Sequence, residues 1–136
     1  MIPAKLIEKI SEENRVHDLT ELLSGKFKTS GKPEIVIGRR NNFSNHQPDI
    51  ILGEDQNGKL KVEQFVIFGV SRRHATITHE DGNYCIQDCS TFGTKINDEL
   101  LRKGEKRILE NGVNLFFGGH NYGPVTFWQD FTENSG

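Results

Sequence analysis

Residues 69–97 read Gly69-Val70-Ser71-Arg72-Arg73-His74-Ala75-Thr76-Ile77-Thr78-His79-Glu80-Asp81-Gly82-Asn83-Tyr84-Cys85-Ile86-Gln87-Asp88-Cys89-Ser90-Thr91-Phe92-Gly93-Thr94-Lys95-Ile96-Asn97. Two polar clusters, Ser71-Arg72-Arg73-His74 and Ser90-Thr91-Phe92-Gly93-Thr94, bracket an alternating pair of segments. Ala75 and Ile77 share one face of the first segment, and Asp81-Gly82 supplies the tight turn before residues 83–88 return. The stretch therefore predicts a β-hairpin that carries both polar clusters at one edge of a β structure.

The same pattern continues outward on both sides. Downstream, residues 94–97 form a short strand ended at Asn97-Asp98, and residues 106–109 lead into an Asn111-Gly112 turn. Residues 113–117 and 125–128 close the pattern, with Pro124 at the start of the last strand. Upstream, residues 34–37 are β-branched and end at Gly38-Arg39, and residues 49–52 are another short apolar strand. Asn57-Gly58 signals a turn before an alternating run at 59–62, and residues 65–68 read as an apolar strand stopping at Gly69. At the start of the chain, residues 4–10 and 15–19 read as strands around a turn at 11–14. Residues 20–24 suit a short helical turn capped by Thr20 or Asp18 and closed by Gly25, with a polar loop over 26–32. Phe65, Phe68, Phe116, Phe117, Phe127 and Trp128 all fall in strands, so most are expected in the core. No long amphipathic helix and no repeat interrupts the series, which is the pattern of an all-β sandwich or barrel.

Composition narrows the function. The 136 residues favour one domain, 1–136, with its core at about 4–131 and a polar tail over 132–136. Lys and Arg number 17 against 19 Asp and Glu, a net charge of −2, so the basic excess of a general nucleic-acid binder is missing. No apolar run approaches spanning length and no signal peptide opens the chain, so the expectation is a soluble intracellular protein with no membrane partner. Cys85 and Cys89 lie four apart on one strand, too far for an easy disulfide, and read as buried free thiols in a reducing compartment. Metal-ligand spacing is absent, and no cofactor motif is present. Ser71 and His74 are too close in sequence to define a triad, and no Gly-x-Ser-x-Gly elbow or Walker loop occurs. A catalytic reading thus rests on nothing specific.

Anion binding is better supplied. A phosphate wants guanidinium groups, hydroxyl donors and free backbone N–H groups. Arg39 follows a glycine at a strand end, Ser71 and Arg72 precede a strand, and Thr91 lies in a loop two residues before Gly93. Arg40 and Arg73 read as solvated charge as readily as ligand contacts, and strand alternation turns Arg73 away from Arg72.

Gly38-Arg39, Ser71-Arg72-Arg73-His74, Asp88-Cys89-Ser90-Thr91-Phe92-Gly93-Thr94 and Asn97 resemble, in order and spacing, the signature of the forkhead-associated (FHA) domain. The resemblance spans about residues 4–131. It implies an all-β, FHA-type β-sandwich of about eleven strands with ligand loops at one end, and a function in binding phosphothreonine peptides. By the same resemblance Arg39 pairs with the phosphate, and Ser71 donates to it through its hydroxyl and backbone. Arg72 adds a second cation, and Thr91 reaches the phosphate or the peptide backbone. Phe92 and Asn97 then frame the peptide, His74 buttresses the loops, and Gly38 and Gly93 serve loop geometry, a role of turn and loop pinning that Asn97 also suits. No cofactor is implied.

Two departures from the family pattern concern specificity. Phe92 stands where many members have an asparagine that grips the peptide backbone. Gly69 stands where a relative has an arginine that reads an acidic residue three positions after the phosphothreonine. Residues 53–70 and 97–107 are similar to the FHA domain of checkpoint kinases of the Chk-two type, including fungal and meiotic relatives. That similarity implies a nuclear setting, DNA-damage or meiotic signalling, and a kinase domain elsewhere in the full-length protein. It leaves phospho-dependent self-association open. The alternative from a different class is a phospho-independent dimerisation or docking domain, motivated by Phe92 and residues 53–68.

Overall fold

The computed structural model describes residues 1–30 and 33–131. In chain order these form β1 (Ala4–Ile10), β2 (Glu13–Asp18), α1 (Leu19–Ser30), β3 (Glu34–Gly38), β4 (Ile50–Ile51) and α2 (Gln64–Ile67). There follow β5 (Ala75–Glu80), β6 (Asn83–Asp88), β7 (Thr94–Ile96), β8 (Glu99–Leu100), β9 (Lys106–Ile108), β10 (Asn114–Phe117) and β11 (Tyr122–Gln129). The strands make a six-stranded sheet, β2-β1-β11-β10-β7-β8, and a five-stranded sheet, β4-β3-β5-β6-β9. This is the expected all-β sandwich, with eleven strands among the described residues.

Alternation decides which side chains meet between the sheets. Leu6 on β1, Phe127 on β11 and Leu115 and Phe117 on β10 point inward from one sheet. Ile35 and Ile37 on β3, Ile77 on β5 and Tyr84 and Ile86 on β6 point inward from the other, and all join one buried cluster. Each such side chain contributes about 1.5–3 kcal/mol by leaving water.

The strand registers bring the polar clusters together. Ile37 pairs with Ala75, and Ala75 with Asp88. The end of β3, the approach to β5 and the exit from β6 therefore lie side by side at one end of the five-stranded sheet. On the other sheet Phe117 pairs with Thr94, which sets the start of β7 and the Gly118 turn at the same end. The His74 ring meets the Phe117 ring edge-on at 5.3 Å and joins the two layers there.

Several local expectations fail. Residues 65–68 are not a strand: they lie in and just after α2, where Ile67 is buried while Phe65 and Phe68 are exposed. A four-residue apolar run carries too little periodicity to separate helix from strand. Nor do residues 59–62 form a strand, keeping only an isolated bridge from Leu60 to Glu54. The helix at 20–24 does not stop at Gly25 but runs on to Ser30. Asp18 Oδ1 caps it by accepting the Glu21 N–H at 3.1 Å. Leu19 and Leu23 bury against the core and Lys26 pairs with Asp49 at 2.9 Å, which offsets the roughly 1 kcal/mol that glycine costs in a helix. The polar loop expected at 26–32 is thus helical through Ser30, and its last two residues, like the tail at 132–136, lie outside the described residues. The expectation that most of the six aromatic residues lie in the core fails too: Phe117 and Phe127 are fully buried, Phe116 is half-buried, and Phe65, Phe68 and Trp128 are exposed.

The excursion between β4 and β5 is tied down at its root. Buried Glu8 accepts the Gly53 N–H at 2.8 Å and the Tyr122 hydroxyl at 2.5 Å on one oxygen, and meets His17 Nε2 at 2.9 Å on the other. The fixed root holds α2 beside the end of β3.

Candidate functional site

Gly38 permits the first contact. A Cβ there would lie 2.0 Å from the Arg72 carbonyl oxygen, so any side chain would force two backbones apart. The close approach lets the Arg39 N–H donate to the Ser71 carbonyl at 3.1 Å. Arg39 and Arg72 consequently emerge next to one another. The Arg39 guanidinium lies over the Phe68 ring, 5.4 Å from its centroid, and Arg72 lies over Phe43 at 5.3 Å. Burial first, and then the charge of Arg72, push the Arg39 pKa down. Its Nε is buried without a hydrogen-bond partner among the described residues. Neither arginine pairs with a carboxylate among the described residues. Two adjacent, uncompensated cations are unfavourable without an anion between them.

The hydroxyls are set by a second network. Asp88 Oδ1 accepts from Ser90 Oγ at 2.6 Å and from Thr94 Oγ1 at 2.7 Å, and Ser90 Oγ accepts the Gly93 N–H at 2.7 Å. All three side chains are buried. The result is a tight loop with Gly93 at φ +101°, a region open to glycine. Thr91 and Phe92 stand outward from it and are exposed. The Thr91 N–H donates to Ser71 Oγ at 3.1 Å, which leaves the Ser71 hydroxyl proton for another acceptor.

His74 fastens the two loops together. Its Nδ1 accepts the Ser71 N–H at 2.9 Å, so the proton sits on Nε2, which donates to the Gly93 carbonyl at 2.8 Å. Burial lowers its pKa below the ordinary 6.5, so the ring is neutral. Both ring nitrogens are thus engaged by backbone groups. One sequence expectation is corrected here: the Ser71 backbone N–H is held by His74, and only its hydroxyl is left for a ligand.

Of the residues expected at the site, the fold brings together Arg39, Ser71, Arg72 and Thr91, with Phe92 beside them and Gly38, His74 and Gly93 beneath. It does not bring Asn97. That residue stands at the opposite end of β7, about 10 Å along the strand from Thr94. There its Oδ1 accepts the Asn114 N–H at 3.0 Å, and at φ +54° it turns the chain into β8. Arg40 is engaged elsewhere, bidentate on Glu54 at 2.7 and 2.9 Å, and Arg73 pairs with Glu34 at 2.8 Å. Gly69 packs under Gly118, where an added Cβ would lie 2.3 Å from the Gly69 oxygen.

Two residues escape the sequence reading. Phe43 sits in a polar loop closed by Gln47, whose side chain donates to the Asn41 and Ser44 carbonyls at 2.7 and 2.9 Å. A lone aromatic in such a loop, 86 % exposed, is the signal that could have found it. Phe68 is hidden in a run that reads as a strand.

Comparison with known proteins places this geometry in context. Residues 35–118 match the FHA domain family. The chain is 35 % identical over 81 residues to the probable serine/threonine-protein kinase fhkA of Dictyostelium discoideum, covering 53 % of this chain and 13 % of that protein. It is 31 % identical over 85 residues to nibrin of Danio rerio, covering 62 % of this chain and 8 % of nibrin. It thus spans only a small part of these curated relatives. Among solved structures, the N-terminal FHA domain of Rad53p from S. cerevisiae, crystallised with a phosphothreonine peptide, superposes with a TM-score of 0.60. That pair shares 18 % identity over 98 % of each chain.

Proposed function

This chain belongs to the FHA domain family, and we propose that it is a phosphothreonine-peptide-binding module rather than a catalyst, its one domain extending over about residues 4–131. The observation that carries the reading is the pair Arg39 and Arg72, two cations that pair with no carboxylate among the described residues, beside a Ser71 hydroxyl whose proton is free for a ligand. In this reading both guanidinium groups and the Ser71 hydroxyl hold the phosphate, and Thr91 adds its exposed hydroxyl. Phe92 gives the peptide an apolar contact, while Gly38, His74 and Gly93 keep the loops in place. Each charge-assisted bond contributes about 1.5–3 kcal/mol.

The host protein and its setting belong to the same proposal. The match to a probable serine/threonine kinase and the likeness in fold to a Rad53p domain support a regulatory module of a checkpoint-type kinase. On that reading it acts in DNA-damage or meiotic signalling in the nucleus, with no direct contact to nucleic acid or membrane. The match to nibrin supports the nuclear setting in a different kind of host. Among the described residues, no helix is long and apolar enough to cross a membrane.

The test is a calorimetric titration with one peptide in phosphothreonine, phosphoserine and unphosphorylated forms. Binding that needs the phosphate and favours threonine supports the proposal. Equal binding of all three forms supports phospho-independent docking instead, a reading favoured by the exposed rings of Phe43, Phe65, Phe68 and Phe92.

A further inference from the structure

The outer face of the six-stranded sheet departs from the usual pattern. An antiparallel sheet with one side in water alternates apolar inside and polar outside. Here Val16, Leu100 and Trp128 are exposed on the outer side, and Ile7 and Phe116 are half-buried there. Val16 stands opposite Ile7, Ile7 opposite Thr126, Phe116 opposite Lys95 and Lys95 opposite Leu100, so apolar side chains recur from β2 across to β8. At one end of the face a cavity of about 140 Å³ opens between Pro3, Val16 and Trp128. A contiguous exposed apolar patch marks a surface that a partner covers.

Charge says what that partner is. Lys5, Lys9 and Lys95 share the face, and none of them makes an ion pair among the described residues, unlike Lys26, Lys61 and Lys106 elsewhere. The strand registers bring Lys9 and Lys95 to one level, about 14 Å apart across three strand spacings, with Phe116 between them. The carboxylates of Asp18 and Asp130 lie at the cavity end, and Asp18 is already spent on capping α1. A second copy fits this face poorly. Packed sheets keep their strands nearly aligned. A two-fold axis through the middle of the face then sets Lys9 of one copy over Lys95 of the other, or Lys5 over Lys9, and like charges oppose the pairing. We propose that the face docks an acidic amphipathic protein segment, with an apolar anchor in the Trp128 cavity and carboxylates on Lys9 and Lys95. Docking there is separate from phosphopeptide binding and does not depend on it, because Arg39 and Arg72 emerge at the end of the other sheet.

The test selects a displayed library of random, unphosphorylated peptides on the wild-type domain and titrates the best of them as a synthetic peptide. Selected sequences should combine two or more Asp or Glu with Leu, Ile, Phe or Trp. Trp128 is the only tryptophan of the chain, so its emission reports on this face alone. The peptide should shift that emission to the blue as it covers the ring. Lys9→Glu combined with Lys95→Glu should weaken binding about tenfold or more, and added salt should weaken it for the wild type. Both lysines stand on the outer side of their strands, and unchanged Trp128 emission in the free variant checks that it is folded. Binding that leaves the emission unmoved, or that survives the two lysine changes, overturns the proposal, because the peptide then sits elsewhere. A selection that enriches nothing, or only sequences without acidic residues, overturns it as well. So does a concentration-dependent dimer in sedimentation with the same emission shift, because a second copy then covers the face.

Discussion

Arg39 and Arg40 are neighbours in the chain, and so are Arg72 and Arg73, yet the members of each pair end in different surroundings. Arg40 closes on Glu54 and Arg73 on Glu34, and both ion pairs raise the arginine pKa, first through the hydrogen bond to the carboxylate. Arg39 and Arg72 lie close together with no carboxylate partner among the described residues, and the Arg39 pKa is depressed, by burial first. Proximity to an acid, not identity as arginine, separates a structural cation from a ligand-ready one. The difference is kept by the backbone: Gly38 lets the ends of β3 and the Ser71 loop touch, which turns one arginine of each pair into the shared site.

The most severe way to break this contrast is Gly38→Ala. The added methyl meets the Arg72 carbonyl, so we expect a loss of about 3 kcal/mol or more in a denaturant melt, together with loss of phosphopeptide binding. A variant with native stability would show that the loops are not held by this contact. Arg72→Ala against Arg73→Ala sharpens the second pair. Arg72→Ala should weaken phosphopeptide binding about tenfold or more at native stability. Arg73→Ala removes an exposed ion pair, should change stability by less than about 0.5 kcal/mol, and should leave affinity unchanged.

A smaller effect concerns the support beneath the site. Burial holds His74 below its ordinary pKa of 6.5 in the folded state. The unfolded chain therefore takes up the proton first, and the stability that neutral His74 contributes is complete above about pH 6.5 and declines as pH falls below it. A thermal melt series from pH 7.5 to pH 5 should show Tm falling more for the wild type than for His74→Asn. Parallel curves would place the titrating group elsewhere.

Much of this contrast was open to reading from the chain alone. Alternation separated Arg72 from Arg73, and the turns at Asp81-Gly82 and Asn111-Gly112 put the strands in order. Motif spacing grouped Arg39 with Ser71 and Thr91 because the β3, β5 and β6 registers carry that spacing into space. What stayed hidden depends on long-range partners. The fate of Arg40 is decided by Glu54, fourteen residues on, across an excursion with no periodic signal. Phe68 looked like core because four apolar residues in a row do not reveal that only Ile67 faces inward. Asn97 followed the motif closely in sequence, but β7 is long enough to carry it to the far end, where its amide is spent on Asn114.

The central claim, that Arg39 and not its neighbour holds the phosphate, is tested most directly by titrating one phosphothreonine peptide into Arg39→Ala and Arg40→Ala side by side. The account predicts a loss of about a hundredfold or more for Arg39→Ala with a native melt. It predicts near wild-type affinity for Arg40→Ala, with stability lowered by about 1–2 kcal/mol as Glu54 loses its partner. Equal affinities for the two folded variants would contradict it.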